Sequence, residues 1–182
     1  MSGSFQCHPL KRVRYFAGQI ITPEDMAEEQ RYFREKARRH NRSLHGFGVV
    51  DGLEVVSKKR TLRVSPGFAL DCAGNEIAVC EAVELQEPKD GAELYVVLSY
   101  QEVETDPVPL TGSGTTAAEM QNSRIEEGYE VQFEKNDPCA DHGGGKSGWH
   151  PCGEAHGVTL ARLVRGRNKW KVDRDYKQPR AH

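Results

Sequence analysis

The sequence predicts an α+β protein, one N-terminal helix packed on an antiparallel β-barrel or β-sandwich domain. Three observations carry this expectation. Residues 23–43 combine helix-start chemistry with charges ordered along a helix axis. From residue 49 onward, short alternating apolar runs are separated by Gly, Pro, Asn and Asp. The strand–helix alternation of a parallel sheet is missing. The chain accordingly divides into an arm and helix (1–45), a β-domain (46–176) and a loose tail (177–182). The β-domain includes a polar excursion at 101–128 and a Gly-rich Cys/His loop at 136–157.

The helix begins at Pro23, a residue whose missing N–H costs nothing in the first turn, after Thr22. Thr22 and Asp25 have capping-box spacing, so each side chain can satisfy an orphan amide of the other. Glu24, Asp25, Glu28 and Glu29 crowd the first turns, and Arg34, Lys36, Arg38, Arg39 and Arg42 the last, as the helix dipole favours. Glu35 is spaced to pair with Arg39. Met26, Gln30, Phe33, Ala37, His40 and Leu44 form one stripe. Two readings of it stand side by side. The stripe docks on the protein's own sheet, in which case truncating Phe33 costs far more than truncating Glu35. Or it is a homo-oligomeric seam in which Gln30 and His40 fix the register.

Strand texture follows: Val49-Val50, Leu53–Val56, Leu62–Val64, Phe68–Leu70 and Glu76–Val79, punctuated by Asp51-Gly52, Pro66-Gly67 and Gly74-Asn75. Leu94–Tyr100 is the most apolar run and reads as a central strand. The polar excursion contains a predicted short helix near Ala117–Gln121, after which Tyr129–Phe133, Val158–Val164 and Lys169–Val172 resume the strands.

Composition narrows the function classes. The 182 residues suffice to bury roughly 70% of the unfolded surface, so a core forms without staples. Lys and Arg number 25 against 27 Asp and Glu, a net charge of −2, which argues against a nucleic-acid partner. No apolar run approaches the roughly 20 residues of a membrane span, and the first residues lack a charged-then-apolar export signal, which predicts cytosolic synthesis. The odd count of 5 cysteines argues for reduced thiols.

One cluster carries metal chemistry. Cys139-x2-His142 and His150-x-Cys152 bracket a glycine-rich loop. Four such donors around one tetrahedral ion make a structural zinc site, and zinc would order a loop too poor in apolar residues to order itself. A Cys139–Cys152 disulfide and an unliganded loop are the alternatives, and His156 is a substitute ligand. Catalytic constellations fail. Gly145-Lys146-Ser147 lacks the phosphate-loop glycine and the following helix, and His142–Gly145 lacks a nucleophile elbow elsewhere in the chain. Glu102, Glu104 and Asp106 read as the solvated face of a strand. The basic cluster around Arg34–Arg42 lacks the aromatic platform of single-strand binders, and pairing with a neighbouring subunit's acids or solvation explains it better. No catalytic residue is assigned.

The runs Tyr15–Met26, Glu29–Tyr32, His40–Val50, Gly52–Val55, Val64–Asp71 and Gly74–Ile77 together resemble small baseplate- or tail-fibre-associated proteins of phage tails and phage-tail-like contractile injection systems. The match spans about residues 13–80. The resemblance implies a non-enzymatic structural or adaptor subunit, docked at a baseplate or fibre with other subunits of the particle, commonly as a homo-oligomer. A free-standing zinc-stabilised module that binds a ligand such as a glycan is the alternative reading.

Overall fold

A computed structural model describes residues 9–110, 120–140, 156–167 and 169–181. The expected class is what is observed: among the described residues the chain forms one helix and antiparallel sheets. Helix α1 spans Pro23–Leu44, and its capping box forms as the sequence predicts, with Thr22 accepting from the Asp25 amide and Asp25 accepting from the Thr22 amide. The strands are β1 (Gly48–Gly52), β2 (Val55–Lys58), β3 (Thr61–Val64), β4 (Gly67–Leu70), β5 (Glu76–Val79), β6 (Val83–Gln86), β7 (Glu93–Pro109), β8 (Met120–Glu134), β9 (Val158–Arg165) and β10 (Trp170–Val172). They form three sheets, ordered β1-β4-β5, β2-β3-β6 and β10-β9-β7-β8.

Alternation sends one side of each short strand inward. Leu62 and Val64 of β3, and Ile77 and Val79 of β5, are buried while their neighbours face out. They meet Val49, Leu53, Val96, Leu98, Val158, Leu163 and Trp170 in one core shared by all three sheets. Each such side chain contributes about 1.5–3 kcal/mol through burial. Trp170 also satisfies its polar edge, donating from Nε1 to the Pro88 carbonyl at 2.7 Å. Opposite the Val96–Val97 step, β9 carries one extra residue, Leu160, and this bulge bends the largest sheet around the core.

Several expectations change on contact with the structure. Asp51-Gly52 does not close a hairpin: β1 pairs with β4 and β2 with β3, so the chain crosses from one sheet to the next at Leu53. The polar excursion is mostly strand. β7 runs for 17 residues and β8 for 15, paired from Tyr95↔Glu134 out to Pro109↔Met120. Their outer halves form an exposed two-stranded ribbon on the order of 30 Å long at strand spacing. Met120 and Gln121 belong to β8, and the rest of the predicted short helix lies outside the described residues. Strand β6 escaped notice because Val83-Glu-Leu-Gln86 offers only two apolar residues. The tail is not loose over residues 178–181: the Val49 amide donates to the Pro179 carbonyl at 2.8 Å and the Ala181 amide to the Val49 carbonyl at 3.2 Å.

The β2–β3 hairpin turns through Lys59 (φ 50°) and Arg60 (φ 65°), left-handed positions that glycine or asparagine occupies with less strain. Replacing Arg60 with Gly should therefore raise the unfolding free energy by about 0.5–1 kcal/mol, read from urea or thermal denaturation. A loss of stability would show that the Arg60 side chain, rather than its backbone, matters at this turn.

Candidate functional site

The helix sits on the β-domain through polar contacts. Asn41 is its one buried residue, 8% exposed. Its Nδ2 donates to the Gly74 carbonyl at 3.0 Å and to Glu76 Oε1 at 3.2 Å. Arg38 Nε donates to Asn75 Oδ1 at 2.6 Å, Arg42 donates to the Ala73 carbonyl, and Arg34 and Arg38 reach Glu102 at 3.1 and 3.7 Å. Glycine is required at position 74: φ is +87°, and a Cβ there would stand 2.3 Å from the Arg38 carbonyl oxygen. The basic cluster thus pairs mainly within the chain, and Glu102 is a helix anchor. Glu35 pairs with Arg38 at 3.0 Å instead of Arg39. A small open pocket lies along this seam between Arg34, Asn41, Asn75, Tyr100 and Glu127. Burial, followed by its hydrogen bond to Glu102, raises the Tyr100 pKa.

The apolar stripe faces away from the β-domain. Met26, Gln30, Phe33, Ala37, His40 and Leu44 are all exposed, with Met26 at 50%, Phe33 at 57% and Leu44 at 62%. This corrects the intramolecular docking reading. The reason is that the seat is made by the adjacent face of α1, where Arg34, Arg38 and Asn41 recur at helical spacing and find hydrogen-bond partners on the β4–β5 turn and β7. Ahead of the helix, Phe16, Ile20 and Ile21 are exposed too, while the Tyr15 hydroxyl donates to Glu29 and ties the arm to the first turns.

A second cluster gathers around Cys139. Of the predicted zinc set, His142, His150 and Cys152 lie outside the described residues, and Cys139 is not in a disulfide. Cys139 Sγ lies against the start of β9, accepting from the Thr159 amide at 3.5 Å and donating to the Gly157 carbonyl at 3.6 Å. Asp137 shapes the turn that presents it. Its Oδ1 accepts from the Cys139 amide at 2.9 Å and from Thr159 Oγ1 at 2.6 Å, and its Oδ2 from the Tyr176 hydroxyl at 2.9 Å. Burial first, then that hydrogen bond, raises the Tyr176 pKa. Cys72, on the same β4–β5 turn that seats the helix, accepts from the His156 amide at 3.4 Å. The His156 ring hydrogen-bonds to the side chains of Cys139 and Cys72, in that order of effect, and they push its pKa up to about 12 against the opposing pull of burial. Sequence reasoning missed the contact of Cys72 with His156 because 84 residues separate the two, and no local spacing encodes it. Among the described residues, no three His, Cys, Asp or Glu side chains stand closed to metal-holding geometry.

The fold defines a class: an α+β domain whose architecture recurs in solved chains of the type VI secretion system baseplate. No family model matches the chain, and no curated protein gives a significant match. Among solved structures it resembles the crystal structure of TssK, with a TM-score of 0.53 and 11% identity over 91% of this chain and 41% of that one. It also resembles a chain of the type VI secretion system TssK-TssF-TssG baseplate subcomplex, determined by cryo-electron microscopy (TM-score 0.55, 13% identity, 93% of this chain and 62% of that one). A chain of the type VI secretion baseplate complex is similar as well (TM-score 0.54, 13% identity, 94% and 42%). The chain therefore spans 41–62% of the length of these proteins, and the likeness is one of fold.

The seat and the stripe make opposite demands on mutagenesis. Asn41→Ala orphans the Gly74 carbonyl and should cost about 1–3 kcal/mol, with faster amide exchange along α1. Phe33→Ala should change the stability of the dilute chain by less than about 0.5 kcal/mol. Equal losses in denaturation of both variants would return the stripe to the interior.

Proposed function

We propose that this chain is a non-enzymatic structural subunit of a phage-tail-like baseplate, assembled into the particle with other subunits and with further copies of itself through α1. The observation that carries the reading is the apolar stripe left bare on a helix whose own seat is polar. Covering Met26, Phe33 and Leu44 is worth about 1.5–3 kcal/mol each, enough to drive association. Gln30 and His40, spaced within the same stripe, set the register of helices packed side by side, because an offset pairing would bury them without partners. The fold likeness to baseplate proteins, one of them within a TssK-TssF-TssG subcomplex, supports the setting. The polar seat adds a reason for one defined geometry: Arg38, Asn41 and Arg42 are spent on the β-domain, which fixes the direction in which the stripe faces.

Sedimentation or light scattering over a range of micromolar concentrations tests the seam. The native chain should self-associate, and Phe33→Glu should leave a folded monomer with an unchanged melting temperature. Co-purification with the sheath and tube subunits of the particle tests the setting. A chain that stays monomeric throughout and retains none of those subunits would overturn the proposal.

A further inference from the structure

Arg60, Lys89, Arg165, Arg167 and Lys169 line an open cleft of about 690 Å³ that shares no residue with the helix seat. They come from three turns: the β2–β3 hairpin, the segment after β6 and the β9–β10 turn. All five are exposed, and among the described residues none of them pairs with a carboxylate. Glu87 also lines the cleft, where it accepts from Ser57 Oγ at 3.2 Å. Five positive charges thus face one negative charge on a chain whose total is −2. We propose that this cleft binds a compact, multiply charged phosphate anion.

The hairpin backbone shows that cations are kept here against a local preference. Lys59 and Arg60 are the two residues of the β2–β3 turn, with φ of 50° and 65°, where glycine or asparagine sits with less strain. Strain of this kind persists where a side chain has a task, and the Arg60 side chain forms part of the cleft wall. Arg165 is held from two sides. Its guanidinium carbon lies 5.7 Å from the Trp170 ring centre, and Nη1 donates to the Gly91 carbonyl at 3.3 Å. The Trp170 indole is in turn fixed on the Pro88 carbonyl. This wall is therefore preorganised, so less side-chain freedom is lost on binding.

Charge density selects the ligand. A phosphomonoester carries about −1.5 to −2 at pH 7, so two phosphate groups on a small scaffold match the excess positive charge of the cleft. Guanidinium groups grip phosphate through paired N–H donors, and lysines add point charges. An extended acidic peptide fits less well, because four carboxylates on one face of a strand spread over about 20 Å. Single-stranded nucleic acid binds by stacking its bases on aromatic faces, and Trp170 is only 3% exposed. Soluble polyphosphorylated molecules and the phosphomonoester headgroups of a lipid surface both present the required chemistry. The site is independent of association through α1, which uses other residues.

The test uses the full chain at about 0.1 M salt, where charges more than about 10 Å apart are screened. Calorimetric titration with inorganic tripolyphosphate should give one saturable site. Its affinity should rise between about pH 5.5 and 7.5, as the terminal phosphates lose protons. Arg167→Gln combined with Lys169→Gln should weaken binding at least about tenfold. Arg31→Gln combined with Lys36→Gln, which removes the same charge from α1, should change it less than about twofold. Arg60→Gly, which the turn geometry favours, should fold with a higher melting temperature and bind at least about threefold more weakly, and it keeps the test open if the first pair fails to fold. Flotation with phosphatidylcholine vesicles containing phosphatidic acid separates the sources. Flotation displaced by tripolyphosphate assigns the site to a lipid surface, and tripolyphosphate binding without flotation assigns it to a soluble ligand. No saturable binding of tripolyphosphate up to about 1 mM would overturn the proposal, as would full affinity in either folded cleft variant. An equal loss in the Arg31 and Lys36 variant would reduce the effect to net charge. Tighter binding of a polyglutamate peptide would make the cleft a protein contact, and either result would overturn the proposal too.

Discussion

The turn from Asp71 to Asn75 is the joint on which the rest of the molecule rests. Its shape is held by a buried carboxylate: Asp71 Oδ1 accepts from the Asn75 amide at 2.8 Å and Oδ2 from Asn75 Nδ2 at 2.7 Å, while the two backbones exchange a further bond at 3.1 Å. A carboxylate taken out of water is tolerated only when such donors surround it. Once the turn is rigid, it presents Gly74 and Asn75 to the helix on one side and Cys72 to His156 on the other. The position of α1 and that of the thiol cluster therefore derive from a single small loop, which couples two features that are remote in sequence.

The helix illustrates how polar docking and apolar exposure can coexist. An amphipathic helix commonly buries its apolar face in its own domain. Here the β4–β5 turn offers oxygen acceptors to the helix, the Ala73 and Gly74 carbonyls and Asn75 Oδ1, so the face that matches is the one carrying the donors Arg38, Asn41 and Arg42. The apolar face is left over. Such a division leaves the apolar side chains exposed without weakening the seat.

The legibility of the sequence follows the range of the physics involved. The capping box and helix bounds depend on neighbouring residues and were readable to within a residue, as were β5 and the inner half of β7. The hairpin ribbon was not, because its outer residues alternate polar and charged side chains with little apolar signal and are held mainly by pairing with each other. The stripe was visible as a stripe, but which side of α1 faces inward depends on carbonyls of residues 73 and 74, more than 30 positions away from their partners. The same limit hid Cys72. Spacing rules find ligands within one loop, and contacts across the fold leave no such trace.

The pairing of residues 178–181 with β1 has a mechanical meaning. The two segments run parallel at Val49↔Arg180, and α1 leads directly into the start of β1. A pull between the helix and the tail would act along both segments in opposite senses, so the Val49–Pro179 and Ala181–Val49 bonds would be loaded together in shear instead of being peeled one after another. Shear geometry resists tension better than peeling for the same number of bonds. Under such a pull the tail would share load that otherwise falls on the small β1–β4–β5 sheet.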